Sequence, residues 1–257
     1  MRMSCIVCCL PRSGSWLLAE ALNNTALAGQ PEEYFRPDHT DLWKQRWSLR
    51  ADDPYDRYVA AALKYSTTNN GVFSVKMHWY QFSWFLAQLR FLAGAHAPKR
   101  DADLVAEWLP NPRYVYLPRI YKARQAISYW RAERSNVWFV RDNDRRVSVG
   151  RPLAVPTLAT LTDEAEPDFR RIRWLERMLI EHERRWLAFF DDGGIRPRTV
   201  IYEHLTANYP RTVTDLLRWL GVVVPADFRV GEPGLKRQAD ELTDVLLDRY
   251  LAVRDEL

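Results

Sequence analysis

The stretch Leu10-Pro-Arg-Ser-Gly-Ser-Trp-Leu-Leu18 carries residue types that hold an oxyanion. It lies between an apolar run at residues 4–10 and a helical pattern at 16–27. A short loop in that position aims backbone N–H groups out of a helix N-terminus, where the dipole favours negative charge. Gly14 lets a ligand approach the backbone closely. Ser13 and Ser15 supply hydroxyls and a helix cap, and Arg12 supplies a planar fork of donors. The loop is not a Walker A motif, because it has a single glycine and arginine in place of lysine. A plain serine-capped turn between strand and helix has the same local pattern.

A second anion site pairs Arg119 with Ser128. Arg119 stands just beyond the apolar run RYVYL at 113–117. In open α/β sheets the ligand crevice lies at such strand ends. Ser128 falls in the helix that follows, within reach of a second phosphate of the same ligand. Lys76 ends the run GVFSVKM at 71–77, so its cation points into the same crevice; a mid-strand lysine would be a solvated edge residue. Two residues on, His78 has an ordinary pKa suited to proton transfer. Trp79, Tyr80, Trp130 and Trp138 can stack on a sugar or on adenine, although aromatics at helical spacing also build cores.

The elements that position these groups alternate. Apolar runs at 4–10, 71–77, 113–117 and 199–202 read as strands. Helical patterns cover 16–27, about 80–92, about 121–134, roughly 166–190 and about 212–220. Strands separated by helices predict an α/β fold with a parallel sheet and right-handed crossovers. One domain spans 1–257. The irregular stretch at 141–162 reads as a mobile lid, a partner-binding loop or an ordinary surface insertion.

Of the 257 residues, 47% are apolar and 27% charged, which excludes collagen-like, disordered and coiled-coil classes. No apolar run approaches the ~20 residues of a membrane span. The first ten residues lack the pattern of a signal peptide, so the expected location is the cytoplasm. A net charge of +4 suits an anionic small molecule and argues against nucleic acid. Cys5, Cys8 and Cys9 share one apolar run, which excludes a disulfide framework. No second Cys or His pair stands at ligand spacing to Cys5-x-x-Cys8, so no metal is expected.

Five segments in order carry a likeness to a known family: PRSGSWLLAEAL at 11–22, AGQPEEYF at 28–35, GVFSVKMHWYQ at 71–81, RQAISYWRA at 124–132 with the preceding Arg119, and, more weakly, LKRQADELTDVLLDRY at 235–250. The chain resembles bacterial sulfotransferases of the trehalose 2-sulfotransferase type, which use 3′-phosphoadenosine-5′-phosphosulfate. The resemblance implies a P-loop-like sulfotransferase fold, that donor as co-substrate and a hydroxyl acceptor, most often on a carbohydrate. It implies that Arg12, Ser13, Gly14, Ser15 and Trp16 grip the 5′-phosphosulfate, and that Arg119 and Ser128 grip the 3′-phosphate. Lys236 and Arg237 would lie near the nucleotide. Glu33 matches the family's general base, and a homodimer is favoured.

Two positions depart from the family pattern. Trp16 stands where a threonine is usual, and Gln30 stands where the trehalose enzyme has glutamate, close to the acceptor.

Sulfuryl transfer, like phosphoryl transfer, is in-line displacement that needs positioning and charge stabilisation. Arg12 and Lys76 are the expected charge stabilisers, Glu33 the base, and Gln30, Glu33, His78 and Trp79 the acceptor contacts. After Pro31, Glu32 and Glu33 also suit the start of a short helix, and His78 is the other candidate base. Two further readings share the loop: a nucleotide-dependent small-molecule kinase, and a non-catalytic nucleotide-binding module.

Overall fold

A computed structural model describes residues 2–94, 99–141, 146–148, 168–235, 238 and 240–257. Lys236, Arg237 and most of 141–162 lie outside the described residues. The chain divides into two compact units.

The first unit comprises residues 1–10, 14–118 and 182–232. It contains a parallel α/β sheet in the order β2-β1-β3-β6. The strands are β1 (Met3–Cys9), β2 (Val72–His78), β3 (Pro112–Leu117) and β6 (Arg198–Thr199). β1 pairs with β2 from Met3↔Val72 to Cys9↔His78 and with β3 from Ser4↔Pro112 to Cys9↔Leu117. Both neighbours therefore end level with Cys9, just before the loop at 10–14.

β1 is buried along its whole length, which explains its unbroken apolar sequence. Side chains alternate across the sheet. Met3, Cys5, Val7 and Cys9 face a core with Val115, Leu117, helix α1 (Ser15–Thr25) and helix α9 (Tyr209–Leu220). Tyr114 and Tyr116 face the other way, against Phe189 and Phe190 of helix α7 (Phe169–Asp192). Trp186, fully buried on α7, stacks on Phe190 and donates its indole N–H to the Cys9 carbonyl at 3.1 Å.

The rest of this unit is helical: α2 (Thr40–Arg46), α3 (Tyr55–Ser66), α4 (Trp79–Ala93), α5 (Asp101–Trp108) and α8 (Tyr202–Ala207). The expected fourth strand at 199–202 is shorter than its sequence suggests. Val200 N–H still bonds the Tyr116 carbonyl, but Tyr202 N–H turns to the Pro118 carbonyl and opens α8.

The second unit comprises residues 11–13, 119–181 and 233–257. It holds α6 (Lys122–Ser135), the antiparallel pair β4 (Val137–Val140) and β5 (Arg146–Ser148), and α10 (Glu241–Val253). Asp240 caps α10 by accepting from the Thr243 N–H. Arg131 of α6 forks onto both Asp240 oxygens and so ties α6 to that cap. The Arg131 fork and the Thr243 bonds push the Asp240 carboxyl down to about 2.

Candidate functional site

Each unit carries one cluster of candidate residues. In the second unit the loop backbone is held by two side chains. Arg119 Nη1 donates to the Arg12 carbonyl at 3.0 Å, and Gln125 Nε2 donates to the Pro11 carbonyl at 2.7 Å. Arg12 itself sits at φ +63°, a left-handed conformation uncommon outside glycine, and these two bonds hold the turn in place.

The Arg12 guanidinium converges on the other candidates of this unit. Its Nε donates to Ser128 Oγ at 3.0 Å, while Nη1 and Nη2 reach the Trp138 carbonyl and Gln238 Oε1. Arg12 thus shares one hydrogen-bonded cluster with Arg119 and Ser128, each more than a hundred residues away in sequence. Ser13 is fully buried, and its Oγ has no hydrogen-bond partner among the described residues. An unsatisfied buried hydroxyl in this turn fits an anion's oxygen.

Helix α1 begins differently from the serine-capped turn. Its N-cap is Gly14, at φ +78° and with no side-chain cap bond. A Cβ at Gly14 would meet the Tyr202 ring at 2.4 Å, so glycine is required by both conformation and space. Ser15 is buried beside Cys9 instead of capping the helix. Burial pushes the Cys5 and Cys9 thiols up to about 12 and raises Cys8 as well, so all three stay protonated and inert.

The first unit's cluster centres on Glu33. No helix follows Pro31. Glu32 instead forms a parallel bridge with Val75, and the Lys76 N–H bonds the Glu32 carbonyl at 3.0 Å. That extension of the sheet edge places the Glu33 side chain against the end of β2. Lys76 Nζ donates to Glu33 Oε1 at 2.6 Å, and Gln81 Nε2 donates to Oε2 at 2.8 Å. Arg36 Nη1 adds a longer contact to Oε2 at 3.5 Å.

Lys76 is fully buried and Glu33 only 6% exposed. Burial alone would raise the Glu33 carboxyl; Lys76, His78 and Gln81 together outweigh it and hold the group well below the usual carboxylate range. Glu33 is therefore ionised at neutral pH. The Trp16 ring lies over the Lys76 ammonium, 3.6 Å from Nζ to the ring centroid.

His78 caps α4 in a box with Gln81: the imidazole accepts from the Gln81 N–H, and Gln81 Oε1 accepts from the His78 N–H at 2.9 Å. His78 Nε2 stands 3.9 Å from Glu33 Oε1 and has no hydrogen-bond partner among the described residues. Burial drives this imidazole down to about 4 despite the nearby carboxylate, so it is neutral at pH 7. Trp79 packs edge-on against Trp186 and at a tilt against Phe82 in the aromatic core. Gln30 is exposed, with its N–H on the Ser66 carbonyl and its carbonyl accepting from Tyr34 Oη at 2.5 Å.

Sequence reasoning missed two partners, Gln81 and Gln125; Trp138, expected as a stacking ring, meets Arg12 through its backbone carbonyl instead. Only Gln81 left a readable signal, as the third residue after a capping His78.

A family model described as Stf0 sulphotransferase matches residues 4–253. The chain is 29% identical to a trehalose 2-sulfotransferase of Mycobacterium tuberculosis, over 96% of this chain and 94% of that protein. It is 28% identical to a trehalose 2-sulfotransferase of Mycolicibacterium smegmatis, over 93% and 91%. The solved sulfotransferase domain of the Synechococcus PCC 7002 olefin synthase superposes with a TM-score of 0.52 at 15% identity, covering 98% of this chain and 95% of that one. This last likeness is one of fold.

Proposed function

The chain belongs to the Stf0 sulphotransferase family, and from that premise we propose that it moves a sulfuryl group from 3′-phosphoadenosine-5′-phosphosulfate to a sugar hydroxyl, with Glu33 accepting the hydroxyl proton. The donor supplies an activated S–O bond to its 5′-phosphate. In the transfer, the acceptor oxygen forms a bond to sulfur, the bond from sulfur to the bridging phosphate oxygen breaks, and the acceptor proton passes to Glu33.

The observation that carries the reading is the ionised, buried Glu33 carboxylate. Oε2 accepts from Gln81 and, at longer range, from Arg36, whereas Oε1 accepts one close hydrogen bond, from Lys76, and retains a lone pair for a substrate hydroxyl. A carboxylate so strongly stabilised is a weak base. A loose transition state suits a weak base, because the attacking oxygen makes little bond until late and sheds its proton late. Glu33 then orients the hydroxyl first and takes its proton second.

The capping geometry weighs against His78 as the base. Nε2 is unpartnered, so the nitrogen accepting from Gln81 N–H is Nδ1. A neutral ring bonded that way carries its proton on Nε2 and can only donate there.

In the second unit, Arg12, Arg119, Ser13 and Ser128 supply cationic and hydroxyl donors suited to the donor's phosphates. In the first, Lys76 offsets negative charge next to the reacting oxygens. The curated relatives' acceptor, trehalose, heads the list of sugars to try. The test is incubation of the full chain with the donor and a panel of trehalose, glucose, glucosamine and a glycolipid, read by mass spectrometry. A gain of one SO3 group on a sugar supports the proposal; no gain on any panel member overturns it.

A further inference from the structure

We infer that Trp16 is a positioning residue: its indole face holds the Lys76 ammonium on Glu33, doing by cation–π attraction what a hydroxyl in the phosphate loop cannot. The inference rests on the role proposed for Glu33 and goes beyond it.

Trp16 is the second residue of α1, directly after the Gly14–Ser15 turn that fixes the helix start. Its ring centroid lies 3.6 Å from Lys76 Nζ, well inside the ~6 Å range of such contacts. The same Nζ donates to Glu33 Oε1 at 2.6 Å. The ammonium is thus gripped by a carboxylate and a ring, with no exposure to water. Desolvation is the condition under which a cation–π contact is strongest.

A lysine side chain has four rotatable bonds, and the indole is one of the contacts that fix the last of them with the ammonium on Glu33. The other groups facing Glu33 are Arg36, His78 on β2, and Gln81 and Tyr80 on α4. Cys9 of β1, His182 of α7 and His39 also belong to the titratable surroundings of the cluster. None of these caps the ammonium as Trp16 does. A hydroxyl side chain at this position would offer no face to a cation.

The experiment is a double-mutant kinetic cycle on the full chain: wild type, W16F, W16L, W16M, K76M and W16L/K76M. The donor is 3′-phosphoadenosine-5′-phosphosulfate, and the acceptor is trehalose or, if another of glucose, glucosamine and the glycolipid is sulfated faster, that compound. W16F keeps an aromatic face and is expected to hold kcat within about threefold of wild type. W16L and W16M keep bulk but lose the face, and kcat is expected to fall by about 10- to 30-fold, with KM for both substrates within about twofold. In the K76M background, W16L should cost nothing further, because its partner is gone.

Additive losses of W16L and K76M overturn the inference, as does a loss confined to KM or an equal loss in W16F. If W16L folds poorly, W16M carries the same comparison. A wild-type chain that sulfates no panel member removes the proposed reaction and this inference with it. Turnover in which K76M and E33Q both match wild type removes the role of the pair, whereas additivity alone removes only Trp16.

Discussion

Lys76 Nζ lies 2.6 Å from Glu33 Oε1, with both side chains buried, although 43 residues separate them in sequence. The pair exists because Glu32 adds one parallel bridge to the edge of β2 at Val75, so that neighbouring residues on two strands meet. Charges this deep hold together only as a pair, since desolvation of either one alone outweighs what remains.

Breaking the pair should therefore cost far more than replacing it. E33L leaves Lys76 as an uncompensated buried cation and is expected to destabilise by about 3–5 kcal/mol. E33L/K76M removes both charges and should recover most of that loss. Urea denaturation at pH 7 of wild type, E33L, K76M and the double variant checks this. A double variant as unstable as the sum of the singles contradicts it.

Stability should also fall with pH in two windows. The folded His78 pKa, about 4, lies below the ordinary value of 6.5, so the unfolded chain binds its proton first. Its contribution is complete above about pH 6.5 and is lost as pH falls toward 4. Glu33 is likewise depressed, and its contribution is complete above the ordinary carboxylate pKa, about 4.3, and lost below it. Melting temperatures from pH 8 to 3.5 should decline across both windows. H78Q should flatten the upper one alone. An unchanged slope in H78Q between pH 6.5 and 4.5 contradicts the burial of a neutral imidazole.

Arg119 is expected to read the 3′-phosphate. R119A should weaken 3′-phosphoadenosine-5′-phosphate by about 10- to 100-fold, the size of a charge-assisted hydrogen bond, and adenosine-5′-phosphate much less. Calorimetry on both nucleotides checks it. Equal losses would mean that Arg119 serves only to hold the Arg12 carbonyl.

The sheet was legible in the sequence because its strands are buried on both faces, and full burial of β1 and β2 writes continuous apolar runs. β6 was overdrawn for the same reason. Val200 is buried and looks like strand, yet the chain has already turned into α8 at Tyr202. Helix α3 went unread. Its buried face, Tyr58, Val59, Ala61, Ala62 and Ser66, mixes two large side chains with small ones. Helix α10 also went unread, although its start is written locally by the Asp240–Thr243 cap.

In the site, local chemistry pointed to Arg12, Ser13 and Gly14, because a turn is encoded by adjacent residues. The likeness at residues 28–35 pointed to Glu33. Nothing local disclosed that Arg12 would reach Ser128, that Glu33 would pair with Lys76, or that Trp16 would turn to the ammonium. Those are consequences of strand register and loop geometry, settled only when distant segments pack.

The central claim, that Glu33 receives the acceptor's proton during sulfuryl transfer, is tested most directly by the turnover of E33Q. Glutamine keeps the shape and still accepts from Lys76, but it cannot take the proton. With donor and the sulfated sugar of the panel, kcat is expected to fall by about 10²- to 10⁴-fold, while affinity for 3′-phosphoadenosine-5′-phosphate stays within about twofold. An E33Q chain that turns over at the wild-type rate would contradict the account.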